Sequence, residues 1–476
     1  MGRLRLLAPL LVAARCAAQQ ELALPSAKQL DFQVNKPIGC FFHFGMNTFA
    51  GTSTFSMERY APSHFTAPAD LSTDQWLEAC VALGGKYAVF TAKHEDGFFN
   101  WPSNLTNFTV ANTPFCAARR AAGRSCDLVR EFLDSCDKFN VTRALYFTSF
   151  NAWSKTLEAA GVNSSAMLRA AFSELANNYG HVDQWWFDHG DEFVLDLVPP
   201  NSLVLGRDWG LVGTEGGYVK LGRDTLWYPQ RSPARFHVGP AADSSRMSAA
   251  TTLGAPRGSA GWMGYQCDTT LSTMNWFWRS GEVPRKTVLE GINVYVHQCL
   301  GFGAGLVLNM PPDTRGVVQP SFVRWAGDFR RELDRRYGHP LGSANGTVDT
   351  HAGAGLELKF TAAMGHRVDS VRIREDLRFG QRIAAWVLQI AVGQPDGQIT
   401  LQTVGAGSTI GARRIYPLLY GGPQANVYGV RFVPTLSVAA DGLVHVAELS
   451  AFNSAGAAPP AKMPAVNATG AGCFPF

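Results

Sequence analysis

The segment "HVDQWWFDHGDE", His181 to Glu192, runs three aromatic residues directly into a group of carboxylates, Asp188, Asp191 and Glu192. A buried strand ending in a solvated acidic loop would look like this. So would a strand that delivers a single carboxylate into a sugar-sized pocket floored by an indole. The neighbouring segments decide between the two. Upstream, "IGCFFHFG", "KYAVFTAKH" and "RALYFTS" are apolar runs of strand length. Helical patterns alternate with them. "STDQWLEACVAL" puts Trp76, Cys80 and Leu83 on one face, with Ser72 and Gln75 at the spacing of a capping box. "DLVREFLDSCDKF" turns Leu128, Phe132, Leu133, Cys136 and Phe139 inward, and "SAMLRAAFSELANNYG" precedes the quoted strand. Downstream come "WGLVGTE", "GWMGYQC" and "GLVLNMPP", the last after a helix from Thr287 to about Leu300.

Strand–helix alternation from about residue 36 to residue 335 predicts a parallel sheet. Its length favours a (β/α)8-type, TIM-like barrel, with an open doubly wound sheet as the alternative. Chemistry in such barrels sits at the C-terminal ends of strands. His43, Lys93–His94–Glu95–Asp96, Thr148–Ser149, Asp188 and Glu215 all fall at those ends. Beyond Gly338 the pattern changes to alternating strands separated by Gly, Pro and Asn turns: "LELKF", "SVRIRE", "AAWVLQIAV", "QITLQTV", "VYGVRFV" and "VHVAELSAF". These predict an all-β sandwich. The expected division is a signal peptide over 1–18, a catalytic barrel over 19–338, the sandwich over 339–455 and an irregular tail over 456–476.

A hydrophobic fraction of 46% and a charged fraction of 17% describe a globular chain. The net charge of +4 is spread without a basic run, which argues against nucleic acid or a membrane surface as partner. "MGRLRLLAPLLVAARCAAQQ" has two arginines, an apolar run and small residues near Ala18. It reads as a secretory signal, too short for a membrane span. Asn-x-Ser/Thr triplets at Asn104, Asn107, Asn140, Asn163, Asn345 and Asn467 fit a secretory chain, whether extracellular, vacuolar or lysosomal. Without Cys16 an even number of cysteines remains, and Cys116 and Cys126 could close the Arg/Ala/Gly loop between them.

"GFGAGLVLN" carries Gly301, Gly303 and Gly305, but they precede a strand instead of opening a helix, so it reads as a turn and not a phosphate cradle. "TAKHEDGFFNWPS" is richer. His94, Glu95 and Asp96 follow a strand end and could hold a metal or sugar hydroxyls, or form a solvated loop. "GLVGTEGG" sets Glu215 between glycines, where main chain can approach a ligand. Two carboxylates on neighbouring strand ends are more specific than either alone. Glycoside hydrolysis needs such a pair, about 5–5.5 Å apart in a retaining enzyme.

"FFHFGMNTF", "GGKYAVFTAKHEDGFFNWPSNLTNF", "CDLVREFLDSCDKF", "VDQWWFD", "GTEGG", "QCDTTLSTMNWFW" and "GLVLNMPPDTRG" together resemble α-L-fucosidases of glycoside hydrolase family 29. So do "VRIREDLRFGQRIAAW" and "GSTIGARRIYPLLY" in the second domain. The likeness runs in order from about residue 30 to residue 452. It looks closest to the branch selective for α-1,3/1,4-linked fucose, through the turn Thr214–Gly217. The resemblance implies a retaining exo-glycosidase that acts on fucosylated oligosaccharide or glycoprotein and needs no metal or organic cofactor. It implies Asp188 as nucleophile, Glu215 as acid/base, Trp186 bordering the sugar, and His43 and His94 on its hydroxyls.

Departures accompany it. The family pattern K-H-H-D-G-F stands here as "KHEDGF", with Glu95 in place of an imidazole. An ionised Glu only accepts hydrogen bonds, whereas an imidazole can also donate. The nearest candidate for the family's Glu-Trp pair is Glu58 followed by Arg59, after a small insertion, and Gln266 stands where many relatives have Glu. Two alternatives follow: a glycosidase for a modified or different 6-deoxy sugar, and a non-catalytic carbohydrate-binding homologue.

Overall fold

The computed structural model describes residues 27–50, 60–148, 152, 154–188, 194, 196–200, 202–207, 225–228, 266–272, 276–361, 365–407, 409–418 and 424–454. The expected signal segment, Glu58, Glu215 with its "WGLVGTE" strand, and the tail from 456 lie outside the described residues.

Eight strands build the first sheet: β1 (Ile38–Phe42), β2 (Tyr87–Lys93), β3 (Thr142–Thr148), β4 (Gln184–Asp188), β5 (Leu203–Arg207), β6 (Thr225–Tyr228), β7 (Gln266–Thr270) and β8 (Gly305–Asn309). Their order is β6-β5-β4-β3-β2-β1-β8-β7, and every pair is parallel. Neighbours follow the chain from β1 to β6, and β8 returns beside β1. That is the order of a barrel, and a doubly wound sheet, whose order reverses at a switch point, is excluded. Strands β1, β2, β4 and β8 are buried along their whole length, so apolar residues occupy both faces and polar ones gather mainly at the C-terminal ends.

Among the described residues, five α-helices have eight or more residues: α1 (Asp74–Leu83), α2 (Pro114–Ala121), α3 (Leu128–Lys138), α4 (Ser164–Asn178) and α5 (Pro320–Tyr337). Trp76, Cys80 and Leu83 are buried on α1, and Leu128, Phe132, Leu133 and Cys136 on α3. Side-chain caps start three of the helices, with Thr113 accepting from the Cys116 N–H, Asp127 from the Arg130 N–H and Asn163 from the Ala166 N–H. The Ser72/Gln75 capping box does not form. Thr73 is the N-cap, without a side-chain bond, and Gln75 instead pairs with both main-chain groups of Val318, at 3.0 and 2.8 Å. A tertiary partner has taken the side chain that a local cap would have used. A reciprocal box does form at Thr287 and Glu290, opening Val288–Gly291. The helix then widens into a π turn over Ile292–Cys299.

Cys116 and Cys126 are bonded, and a second disulfide joins Cys267 of β7 to Cys299 of the π turn. Cys40, Cys80 and Cys136 are reduced and buried.

The second unit pairs two antiparallel sheets. One contains β10 (Leu356–Lys359), β11 (His366–Val368), β13 (Ile383–Gly393), β14 (Ile399–Gly407) and β16 (Gln424–Ser437). The other contains β9 (Gly342–Asp349), β12 (Ser370–Glu375), β15 (Arg414–Pro417) and β17 (Leu443–Phe452). Val371, Ile373, Trp386, Leu388, Phe432 and Leu449 contribute to a core of its own between them. The chain is therefore a (β/α)8-type barrel followed by a β-sandwich. Ile415 and Phe452 of the sandwich also pack into the barrel's core. Among the described residues no helix is long and apolar enough to cross a membrane.

Candidate active site

Alternation along β4 sorts its side chains onto two faces. Trp185 and Phe187 turn to the helix layer, 4.7 and 5.5 Å between ring centroids from Phe172 of α4. Gln184, Trp186 and Asp188 therefore share the opposite face. Trp186 stacks on Tyr146 of β3 at 5.4 Å and meets Phe41 of β1 at 5.5 Å. Asp188 ends the strand and is 6% exposed. The Tyr146 hydroxyl donates to its Oδ2 at 3.1 Å, and the Thr148 hydroxyl donates to its main-chain carbonyl at 3.2 Å. Both contacts follow from the parallel register, which sets Tyr146 opposite Trp186 and Thr148 opposite Asp188.

Tyr146 also lies nearly parallel to His94, at 5.4 Å and 14°. His94 in turn stands 5.6 Å from His43, and Phe277 meets both imidazoles edge-on. His43 follows directly after β1. Its Nδ1 lies 2.9 Å from Oδ1 of Asn309, at the end of β8, and Trp276 lies 5.1 Å from its ring. Burial pushes the His43 pKa down to about 3, against the opposing effect of the Asn309 bond, so the ring is neutral at ordinary pH.

The loop after β2 is buried, not solvated: Lys93, His94, Glu95 and Asp96 are all less than a tenth exposed. Lys93 Nζ donates to the carbonyls of Thr148 at 2.8 Å and His94 at 3.2 Å, which pins the ends of β2 and β3 together. Burial raises Asp96 to about 6 although the Phe98 N–H and the Lys93 charge favour its ionised form; the Glu95 charge adds to the rise. The Glu95 carbonyl accepts from the Ala152 N–H at 3.0 Å.

Of the residues singled out in the sequence, Asp188, Trp186, His43 and His94 thus form one contiguous cluster through Tyr146, and Glu95 is buried next to His94. Glu215 and Glu58 lie outside the described residues. Tyr146, Asn309, Trp276 and Phe277 were not singled out. Tyr146 and Asn309 each stand at or near the C-terminal end of a parallel strand, and that rule alone would have flagged them. Among the described residues no group of three or more His, Cys, Asp or Glu is placed to hold a metal ion.

A buried carboxylate beside imidazoles and stacked rings, at the C-terminal ends of strands in a (β/α)8-type barrel, is consistent with a glycoside hydrolase. The α-L-fucosidase family model matches residues 48–329, more than half of the chain. This chain belongs to that family, glycoside hydrolase family 29. It is 25% identical to alpha-L-fucosidase 1 of Arabidopsis thaliana over 84% of this chain and 82% of that protein. It is 26% identical to the tissue alpha-L-fucosidase of Mus musculus over 56% of each. The fold is shared with a glycoside hydrolase family 29 fucosidase of Ruminococcus gnavus, solved in complex with fucose: TM-score 0.71, 16% identity, 92% of this chain and 97% of that one.

Proposed function

We propose that this α-L-fucosidase is a secreted, retaining exo-enzyme that removes terminal fucose, α-1,3- or α-1,4-linked, from oligosaccharides or glycoproteins. The observation that carries the reading is Asp188: a buried carboxylate at the end of β4, one oxygen held by Tyr146, next to the indole of Trp186. In this reading Asp188 attacks the anomeric carbon while Glu215 protonates the departing oxygen, and a fucosyl ester forms on Asp188. Glu215 then takes a proton from water, which attacks the same carbon and frees Asp188. Esterification removes the negative charge of Asp188, and that loss favours Glu215 in its second role. His43 and His94 bind hydroxyls, and their contacts strengthen as the ring flattens toward an oxocarbenium ion.

The linkage preference rests on the resemblance of the Thr214–Gly217 turn. Secretion is supported by the N-terminal pattern, by two disulfides and by the exposure of Asn104, Asn107, Asn140, Asn163 and Asn345. A second reading, a modified 6-deoxy sugar as substrate, is favoured by one feature. Glu95 is buried beside His94 where the family pattern has an imidazole. A panel of aryl glycosides separates the two sugars.

The decisive variant is Asp188→Gly. Hydrolysis of an aryl α-L-fucoside should fall by about 10³-fold or more, and azide should restore part of it as fucosyl azide of inverted configuration. An unaltered rate in that variant dismisses the assignment.

A further inference from the structure

The contact between β8 and the first strand's end contains more than a packing interaction. Oδ1 of Asn309 receives two groups of His43: the main-chain N–H at 3.3 Å and Nδ1 at 2.9 Å. A main-chain N–H can only donate, so the Asn309 atom facing it is the carbonyl oxygen. The other end of the amide agrees, because Nδ2 of Asn309 lies 2.8 Å from the Trp276 carbonyl and 3.3 Å from the Thr270 hydroxyl. With an oxygen opposite it, Nδ1 must carry the hydrogen. The neutral ring then has a bare lone pair on Nε2. That atom has no partner among the described residues, and Asn309 itself is fully buried.

We propose that Asn309 is a positioning residue that locks His43 as the Nδ1–H tautomer, so that Nε2 meets the sugar as an acceptor and the hydroxyl bound there must donate. The inference depends on the fucosidase reading only for the sugar that supplies the hydroxyl. The titratable groups packed against His43 are His94 from the loop after β2 and Tyr146 from β3; Phe41, Trp276 and Phe277 bring none.

Two-bond 1H–15N spectra of full-length protein labelled in histidine test this directly, with His43 assigned through His43→Gln. The expected pattern is a protonated Nδ1 and an unprotonated Nε2, unchanged from pH 8 to pH 5. In Asn309→Asp the carboxylate should stabilise the imidazolium. His43 then titrates within that range, and the acid limb of kcat/KM moves up by about one pH unit or more. Purely structural damage would lower activity without that displacement. An Nε2–H tautomer or an imidazolium in the wild type at pH 7 overturns the proposal, and so does an Asn309→Asp protein in which His43 stays neutral. Should Asn309→Asp fail to fold, the wild-type spectrum decides alone. It needs no turnover, so it stands or falls separately from the fucosidase reading.

Discussion

Asp96 sits one loop residue away from Glu95 with water excluded from both, so its charge is expensive in the folded state. Its pKa is raised from 3.8 to about 6, chiefly by burial. A raised carboxyl pKa means that the folded protein holds the proton more tightly than the unfolded chain. The associated stability is complete below about pH 4 and is lost as pH rises through 6. Asp96→Asn keeps an oxygen for the Phe98 N–H and does not titrate. Its stability relative to wild type should therefore climb by about 3 kcal/mol between pH 4 and pH 7, then level off. Thermal melts of both proteins across that range check it; a difference that stays flat with pH contradicts it. Asp188 and the KHED run were legible in the sequence because charged side chains directly after apolar strands are informative on their own. Tyr146 was not, since a tyrosine within "RALYFTS" is an ordinary core residue until the register places it opposite Trp186. The tautomer of His43 was beyond reach, because it depends on a carbonyl oxygen 266 positions away.

Strands β1 to β4 and β8 and helices α1, α3 and α4 were read from local signal, whereas β5 (Leu203–Arg207) and β6 (Thr225–Tyr228) were missed and the expected "WGLVGTE" strand lies outside the described residues. The apolar strands and the faces of α1 and α3 follow from periodicity. The Ser72/Gln75 cap failed because Val318 competes for Gln75. Strands β9 and β15 carry little alternation, and "GSANGTVD" joins a sheet only because β17 supplies its ladder. The glycine turn before β8 was recognisable, and the structure shows what it serves. Gly303 has a φ of +86°, and a Cβ on Gly301 would come within 2.9 Å of the Val296 carbonyl oxygen and 3.2 Å of Ile415 Cβ. The Cys116–Cys126 bridge, with a sequence separation of 10, lies in the segment joining β2 to α3. Replacing both cysteines by serine should cost about 2–3 kcal/mol of stability by releasing the loop in the unfolded chain. Denaturant midpoints should fall while kcat changes little. Loss of activity in a protein that still folds would mean the loop shapes the site as well.

The barrel and the sandwich are joined by arginines that reach the turn before β8. The Arg414 guanidinium lies 3.6 Å from the Phe302 ring centroid, and Arg413 donates to the Leu300 carbonyl at 3.4 Å. Burial lowers both Arg413 and Arg414 to about 10, so they stay charged at neutral pH. These contacts fasten the sandwich to the turn that feeds β8, whose last residue, Asn309, reaches His43. The whole molecule in this account serves to present Asp188 to an anomeric carbon. Incubation with 2-deoxy-2-fluoro-α-L-fucosyl fluoride, followed by peptide mapping by mass spectrometry, asks whether it does. The account predicts time-dependent inactivation and a single fluorofucosyl adduct on Asp188, absent in Asp188→Gly. An adduct on another carboxylate, or inactivation that persists in the variant, would contradict it.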